Sequence, residues 1–292
     1  MERIRHKLAV SFTAALSLAI SAASGAEESH HDGHDDKANH VLDQTDTPVR
    51  VITAELEDDG ELNPNHPNQI TFRLTDQQGE PVDVSELDVV HTEPVHLLVI
   101  DPSFTDYHHA HPVQISPGEY TFYFTPDVTC DYRVWIDVKP SGGPQQYIPL
   151  VLSGSAIDPR IPSMKNCSAS MESALNSTTS VDGMDFQISF DRPLRVGQPV
   201  TGKVKISKDG KPFDQLQPVM GAYAHVVGFY EDFDTVAHVH PIGPEPKRVT
   251  DRGGPEIEFH LNPQAPGYLK LFVQTQIDGN EVYAPFTVRI EE

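Results

Sequence analysis

Residues 91–112 and 220–241 are two copies of one segment. The first reads His-Thr-Glu-Pro-Val-His-Leu-Leu-Val-Ile-Asp-Pro-Ser-Phe-Thr-Asp-Tyr-His-His-Ala-His-Pro. The second reads Met-Gly-Ala-Tyr-Ala-His-Val-Val-Gly-Phe-Tyr-Glu-Asp-Phe-Asp-Thr-Val-Ala-His-Val-His-Pro. They align without a gap, placing His96 on His225, Phe104 on Phe233, His109 on His238, His111 on His240 and Pro112 on Pro241. His91 falls on Met220. A chain that carries one unit twice is expected to fold as two similar bodies, which fixes the architecture before any single strand is read.

The pattern around each copy is that of short strands cut by turn residues. In the first half, 69–74 alternates with Ile70, Phe72 and Leu74 on one face, 76–81 is a turn, and 95–100 is apolar apart from His96. Further strands are read at 49–56, around 109–111, and over 120–124, 132–138 and 146–152. The second half repeats the order at 184–190, 199–206, 222–230, 235–240, 256–261, 267–274 and 281–290. Few segments keep a helical period, and regular short strands with Gly and Pro between them indicate a β-sandwich. The expectation is an all-β chain of tandem Ig-like (cupredoxin-like) β-sandwiches, with domains at 48–153 and 182–292. A Ser- and Pro-rich linker spans 154–181, in which 171–175 suits a helical turn.

Each copy holds one His, then His-x-His-Pro. Residues i and i+2 of a strand share a face, so His109 and His111 point together, as do His238 and His240. His96 and His225 sit early in the preceding strand, and hairpin pairing would bring three imidazoles of each copy together. Three His with an open fourth position suit Zn²⁺ or Cu²⁺. His91 or Met220 could supply the fourth ligand, and Met would soften the second site towards Cu(I). The two sandwiches are expected to act as separate sites. The plainer alternative is a repeated structural role, with the imidazoles bonding the loops before Pro112 and Pro241. A site for an organic ligand is a third reading. His66, His108 and His260 have no counterparts and are read as surface residues, with His260 an accessory ligand at most.

The first residues look like an export signal: Arg3, Arg5 and Lys7, an apolar run over 8–23, and a small-x-small cleavage site at 24–26. Residues 27–47 form a His- and Asp-rich tail without apolar periodicity. The formal net charge of −22 repels nucleic acid and anionic membrane surfaces. The apolar run is short for a membrane span. The expected location is therefore periplasmic or secreted. The two cysteines, Cys130 and Cys167, are expected to bond in an oxidising compartment. Their rival is a soft Cu(I) site made of Met164, Cys167 and Met171. The sequence holds no G-x-S-x-G, H-E-x-x-H or phosphate-cradling loop, so catalysis finds little support.

The second copy resembles a group of secreted bacterial proteins marked by G-A-M-G-H-L-V, then H-V-H-P, then P-G-x-Y-R-x-F-x-Q-F and a terminal F-x-V. The matching stretches are residues 221–227, 237–241, 266–274 and 286–288, with Tyr223 standing where that group has Met. The first copy matches more loosely at 91–97 and 109–112. YtkA-like domains and periplasmic copper chaperones are similar in style, being β-sandwiches that carry His and Met.

Together these readings give an expectation: an exported protein that binds a transition metal, copper ahead of zinc, for buffering, delivery or resistance. Another periplasmic protein would be its partner. The ligands would be His96, His109 and His111 with His91, and His225, His238 and His240 with Met220. The alternative is an Ig-like module that binds protein or glycan, with structural histidines.

Overall fold

The structure, a computed structural model, describes residues 50–57, 62–153, 167, 170–239 and 241–292. The export signal, the His-rich tail and most of the linker lie outside them, as do Met164, His240 and the side chain of His238.

The first repeat consists of β1 (Ile52–Leu56), β2 (Asn68–Asp76), β3 (Val95–Ile100), β4 (Tyr107–Ala110), β5 (Val113–Ser116), β6 (Glu119–Phe124), β7 (Tyr132–Val138) and β8 (Gln146–Leu152). One antiparallel sheet runs β1-β2-β6-β5 and the other β4-β3-β7-β8. Lettered in chain order, these are A-B-E-D and C′-C-F-G, the immunoglobulin-like arrangement. Tyr132, which opens strand F, makes the matching corner. Its hydroxyl donates to the buried Asp106 carboxylate and accepts from the Val128 N–H at 3.3 Å.

The second repeat follows the same plan. It consists of β9 (Thr178–Val181), β10 (Met184–Phe190), β11 (Val200–Lys208), β12 (Lys211–Pro212), β13 (His225–Tyr230), β14 (Val236–Val239), β15 (Pro241–Ile242), β16 (Glu256–Leu261), β17 (Gly267–Ile277) and β18 (Asn280–Ile290). Its sheets run β15-β16-β11-β10-β9 and β14-β13-β17-β18. Strand for strand, β10, β11, β13 and β14 stand where β1, β2, β3 and β4 stand, and β15 to β18 where β5 to β8 stand. The additions are β9 on the outer edge and the short β12. The chain is thus an all-β tandem repeat, and residues 171–174 form a single 3-10 turn.

Each sandwich closes on its own core because its strands alternate. Ile70, Phe72 and Leu74 of β2 meet Leu97 and Val99 of β3 and Val134 and Ile136 of β7. Met184, Phe186 and Ile188 are buried while Asp185, Gln187 and Ser189 between them face water. In β3 and β13, however, every residue is buried. Their second faces form a third cluster between the repeats. Leu98, Ile100, Phe104, Tyr107 and Trp135 pack there against Val227, Phe229 and Phe272. Tyr107 stacks on Phe272 with ring centroids 4.7 Å apart. Phe104 meets its own counterpart Phe233 edge to face at 5.3 Å. Contact between equivalent residues means that the repeats face each other about an approximate twofold axis. Each such buried side chain contributes about 1.5–3 kcal/mol, enough in sum to hold the two bodies in one pose.

Cys130 and Cys167 are bonded, with Cα atoms 6.2 Å apart. The bridge fastens the segment after the first repeat to the loop before strand F. It also removes the sulfur site from consideration, since Met171 is buried in the cluster between the repeats.

Candidate metal centre

The histidines lie on the faces that meet between the repeats. Alternation in β3 sends Val95, Leu97 and Val99 into the first sandwich and His96, Leu98 and Ile100 out of it. His109 of β4 pairs across from Leu98, and the register continues to place His111 opposite His96. All three imidazoles therefore share one face. His96 and His109 are buried and His111 is half-buried.

Their ring nitrogens converge. Nδ1 of His96 lies 3.1 Å from Nε2 of His109 and 3.1 Å from Nε2 of His111. One nitrogen from each residue fits within 4.8 Å of the others. Ligand bonds of about 2.0–2.1 Å to a tetrahedral ion need nitrogens a little over 3 Å apart, which this set supplies with small adjustment.

The outward nitrogens fix the protonation. Nε2 of His96 is 2.7 Å from the carbonyl oxygen of Val90, which only accepts, so Nε2 carries the hydrogen and donates it. Nδ1 of His109 is 2.8 Å from Oε1 of Gln274, in the second repeat. The amide's orientation is set further out. Tyr283 donates its hydroxyl hydrogen to the Glu281 carboxylate at 2.5 Å and accepts from Nε2 of Gln274 at 3.1 Å. Oε1 must then face His109 and take a hydrogen from Nδ1. Burial, then the bond to Glu281, push the Tyr283 phenol well above its ordinary pKa, so the hydroxyl keeps its proton.

With those two hydrogens directed outward, Nδ1 of His96 and Nε2 of His109 face each other with lone pairs at 3.1 Å. Burial lowers the pKa of His111, with only partial compensation from Glu281, which favours its neutral form. Nε2 of His111, also 3.1 Å from Nδ1 of His96, can donate a hydrogen to it, and the same nitrogens could instead hold a metal ion. Ligand imidazoles whose second nitrogens donate to oxygen acceptors are the usual outer arrangement of such centres.

The second repeat carries His225 at the place of His96, fully buried. Its Nε2 lies 3.2 Å from the carbonyl of Val219 and 3.3 Å from that of Met220, the same outward bond that His96 makes. The backbone of β14 pairs His238 with Val227, repeating the His109–Leu98 register. Since the His238 side chain and His240 lie outside the described residues, the second triad rests on the sequence repeat.

The structure adds a link between the repeats: Gln274 of the second repeat bonds His109 of the first. His91 lies near the first histidine of both repeats. Its ring is 5.2 Å from that of His225 in the other repeat and 6.1 Å from that of His96. Met220 is half-buried, with its carbonyl near His225.

Of the remaining histidines, His66 is exposed on its loop. His108 is not a plain surface residue: it is partly buried and bonds Asp106 at 2.8 Å, on the face of β4 away from the triad. His260 is exposed on β16, in the sheet that does not carry the centre, which ends its candidacy as an accessory ligand. Sequence reading missed Gln274, Tyr283 and Glu281. The signal was Gln274's place opposite His225 in the all-buried neighbourhood of β13 and β17, where an amide needs a partner.

Among the described residues no helix is long and apolar enough to cross a membrane. No curated protein matches this chain in sequence. The sequence model of a domain of unknown function (DUF8832) matches residues 47–153 and again 179–292, so the chain belongs to that family and carries its domain twice.

Proposed function

We propose that the protein binds a transition metal ion through His96, His109 and His111, copper ahead of zinc, and serves in exported metal buffering or delivery. The observation that carries this reading is the convergence of ring nitrogens of His96, His109 and His111 within 4.8 Å of one another, with the outward nitrogens of His96 and His109 committed to oxygen acceptors. An all-imidazole set suits Cu²⁺ and Zn²⁺ and is a poor site for Mg²⁺ or Ca²⁺, which take oxygen ligands. The second repeat supplies His225, His238 and His240 by sequence, with Met220 as the soft variant of His91, and Met favours copper over zinc. The His- and Asp-rich residues 27–47 would add weak sites suited to collecting the same ions. The leader-like start supports work in the periplasm or outside the cell, with a periplasmic protein as donor or acceptor.

The test is elemental analysis of the protein purified without a His tag, followed by titration with Cu²⁺ and Zn²⁺. Tight binding that is lost in the His109→Ala, His111→Ala double variant supports the reading. A protein that binds neither ion more tightly than its loss of those residues allows would make the histidines structural.

A further inference from the structure

The two repeats join strands D and E differently. In the first, β5 and β6 are connected by residues 117–118 alone. In the second, residues 243–255 stand between β15 and β16. The duplicated scaffold is its own control: the short hairpin shows that the fold does not need the longer connection. Insertions confined to one repeat map to surface loops, where binding functions concentrate.

The longer loop holds its own shape. The Asp251 carboxylate accepts from the backbone N–H groups of Lys247 and Arg248 at 2.9 and 3.0 Å, and from Nε of Arg248 at 3.0 Å. Nη1 of Arg252 donates to the carbonyls of Val249 and Asp251 at 3.2 and 2.8 Å. The leg that returns to β16 is anchored, since Gly253 and Leu216 exchange both backbone hydrogen bonds at 3.0 Å. The Tyr223 ring lies against Gly253, where an added Cβ would fall 2.5 Å from it.

What this frame presents to water is cationic and apolar. Lys247, Arg248, Val249 and Arg252 are all exposed, and Val249, at 85%, is the most exposed large hydrophobic residue among the described ones. Asp251 between them is committed to the bonds above. The chain as a whole has the opposite sign, with a net charge of −22. That body repels an acidic partner in most orientations and attracts it only at a tip of this kind, so the tip selects the approach. A hollow of about 400 Å³, lined in part by Tyr223, Pro244, Glu245 and Arg252, gives a side chain of such a partner room beside the loop.

The root of the loop is linked to the triad through two packed turns. Tyr223 follows the turn at 219–222, and a side chain on Gly221 in that turn would begin 3.6 Å from the Thr92 methyl. Thr92 belongs to the turn at 90–93, whose Val90 carbonyl accepts from Nε2 of His96.

We propose that residues 243–255 are the docking loop for the protein that gives the ion to the triad or takes it away, and that this partner presents an acidic segment interspersed with apolar side chains. This rests on the metal reading of the triad and deepens it by giving the partner's chemistry and its landing place.

The test uses the full, metal-free chain and a fluorescein-labelled peptide of alternating Glu and Phe, read by anisotropy at low salt. Saturable binding is expected, weakening as salt is raised. In the Lys247→Glu, Val249→Asp variant the changed side chains are exposed and make none of the loop's own bonds. Its urea midpoint should therefore stay in place while peptide affinity falls at least about tenfold. A His109→Ala, His111→Ala chain should bind the peptide as the wild type does, which separates docking from metal binding. Given a His-x-His end loaded with Cu²⁺, the peptide should load the wild-type triad at least about tenfold faster than it loads the loop variant, since docking makes the transfer intramolecular. Peptide affinity that the loop variant does not lower overturns the docking loop and leaves the triad standing. Binding of phosphatidylglycerol vesicles in place of the peptide also overturns it, by making the loop a membrane contact. A chain that docks the peptide but takes up no ion overturns the metal reading, and with it the partner's role as donor or acceptor.

Discussion

Nδ1 of His109, in the first repeat, stands 2.8 Å from Oε1 of Gln274, in the second, and this bond ties the second sandwich to the histidine cluster of the first. Gln274 occupies in β17 the place that Asp137 occupies in β7, since each pairs across from the first histidine of its own repeat. Asp137 is also buried. The two repeats therefore present an amide and a carboxylate at equivalent positions.

Gln274→Leu should weaken metal binding by about 10–100-fold while leaving all three ligands in place, as loss of an outer partner does elsewhere. Tyr283→Phe should act in the same direction and less strongly, because it frees the amide's orientation without removing the acceptor. Competition titration against a chelator of known affinity measures both. Equal affinities in all three proteins would mean that Gln274 only fills space.

His111 supplies a pH signature for the metal-free protein. Burial lowers its pKa below the ordinary 6.5, an effect that Glu281 only partly offsets. Below pH 6.5 the unfolded chain takes up that proton before the folded chain does. Stability is therefore complete above 6.5 and declines as pH falls towards the folded pKa. One proton contributes a slope of at most about 1.4 kcal/mol per pH unit. His111→Leu should flatten the dependence of the urea midpoint on pH just below 6.5. A variant with the wild-type slope would show that His111 does not carry the effect.

The sequence disclosed much of this fold for a physical reason: strand period is two, so Ile70, Phe72 and Leu74, or His109 and His111, announce a shared face. Convergence of His96 with His109 and His111 followed from that period and a hairpin. The short β5 and β15 were not foreseen, because four and two residues after a His-Pro step carry too little alternation to register. The meeting of the repeats was harder to read. Periodicity tells which face a residue takes but not what covers it, and His109 and Gln274 are 165 positions apart. A trace was present nonetheless: Leu98 and Ile100, or Val227 and Phe229, are apolar on the face that a lone sandwich would turn to water.

Reducing the Cys130–Cys167 bond should lower stability by about 3–4 kcal/mol, the scale expected for a closed loop of 37 positions. A Cys130→Ser, Cys167→Ser protein should show the same loss without reductant. The midpoint of urea unfolding, with and without dithiothreitol, measures it. Full stability in the double variant would mean that the segment is held by Met171 and its packing alone.

Phe104 and Phe233 test the twofold contact directly. They are equivalent in sequence, both have positive φ, and they touch only if the repeats face each other. Phe104 is nearly fully buried, so Phe104→Ala should cost about 3–5 kcal/mol. Phe233 is less buried, and its ring also lies under the Arg133 guanidinium at 5.2 Å, so Phe233→Ala should cost less in packing and add a cation–π loss. The salt bridge from Arg133 to the exposed Asp234 adds little to either. A double-mutant cycle removes these separate terms. Edge-to-face aromatic pairs couple by about 0.5–1.5 kcal/mol, and a coupling in that range is expected here. Zero coupling would mean that the repeats do not meet at this point, and the crossed contacts of His91 and Gln274 would lose their structural support as well.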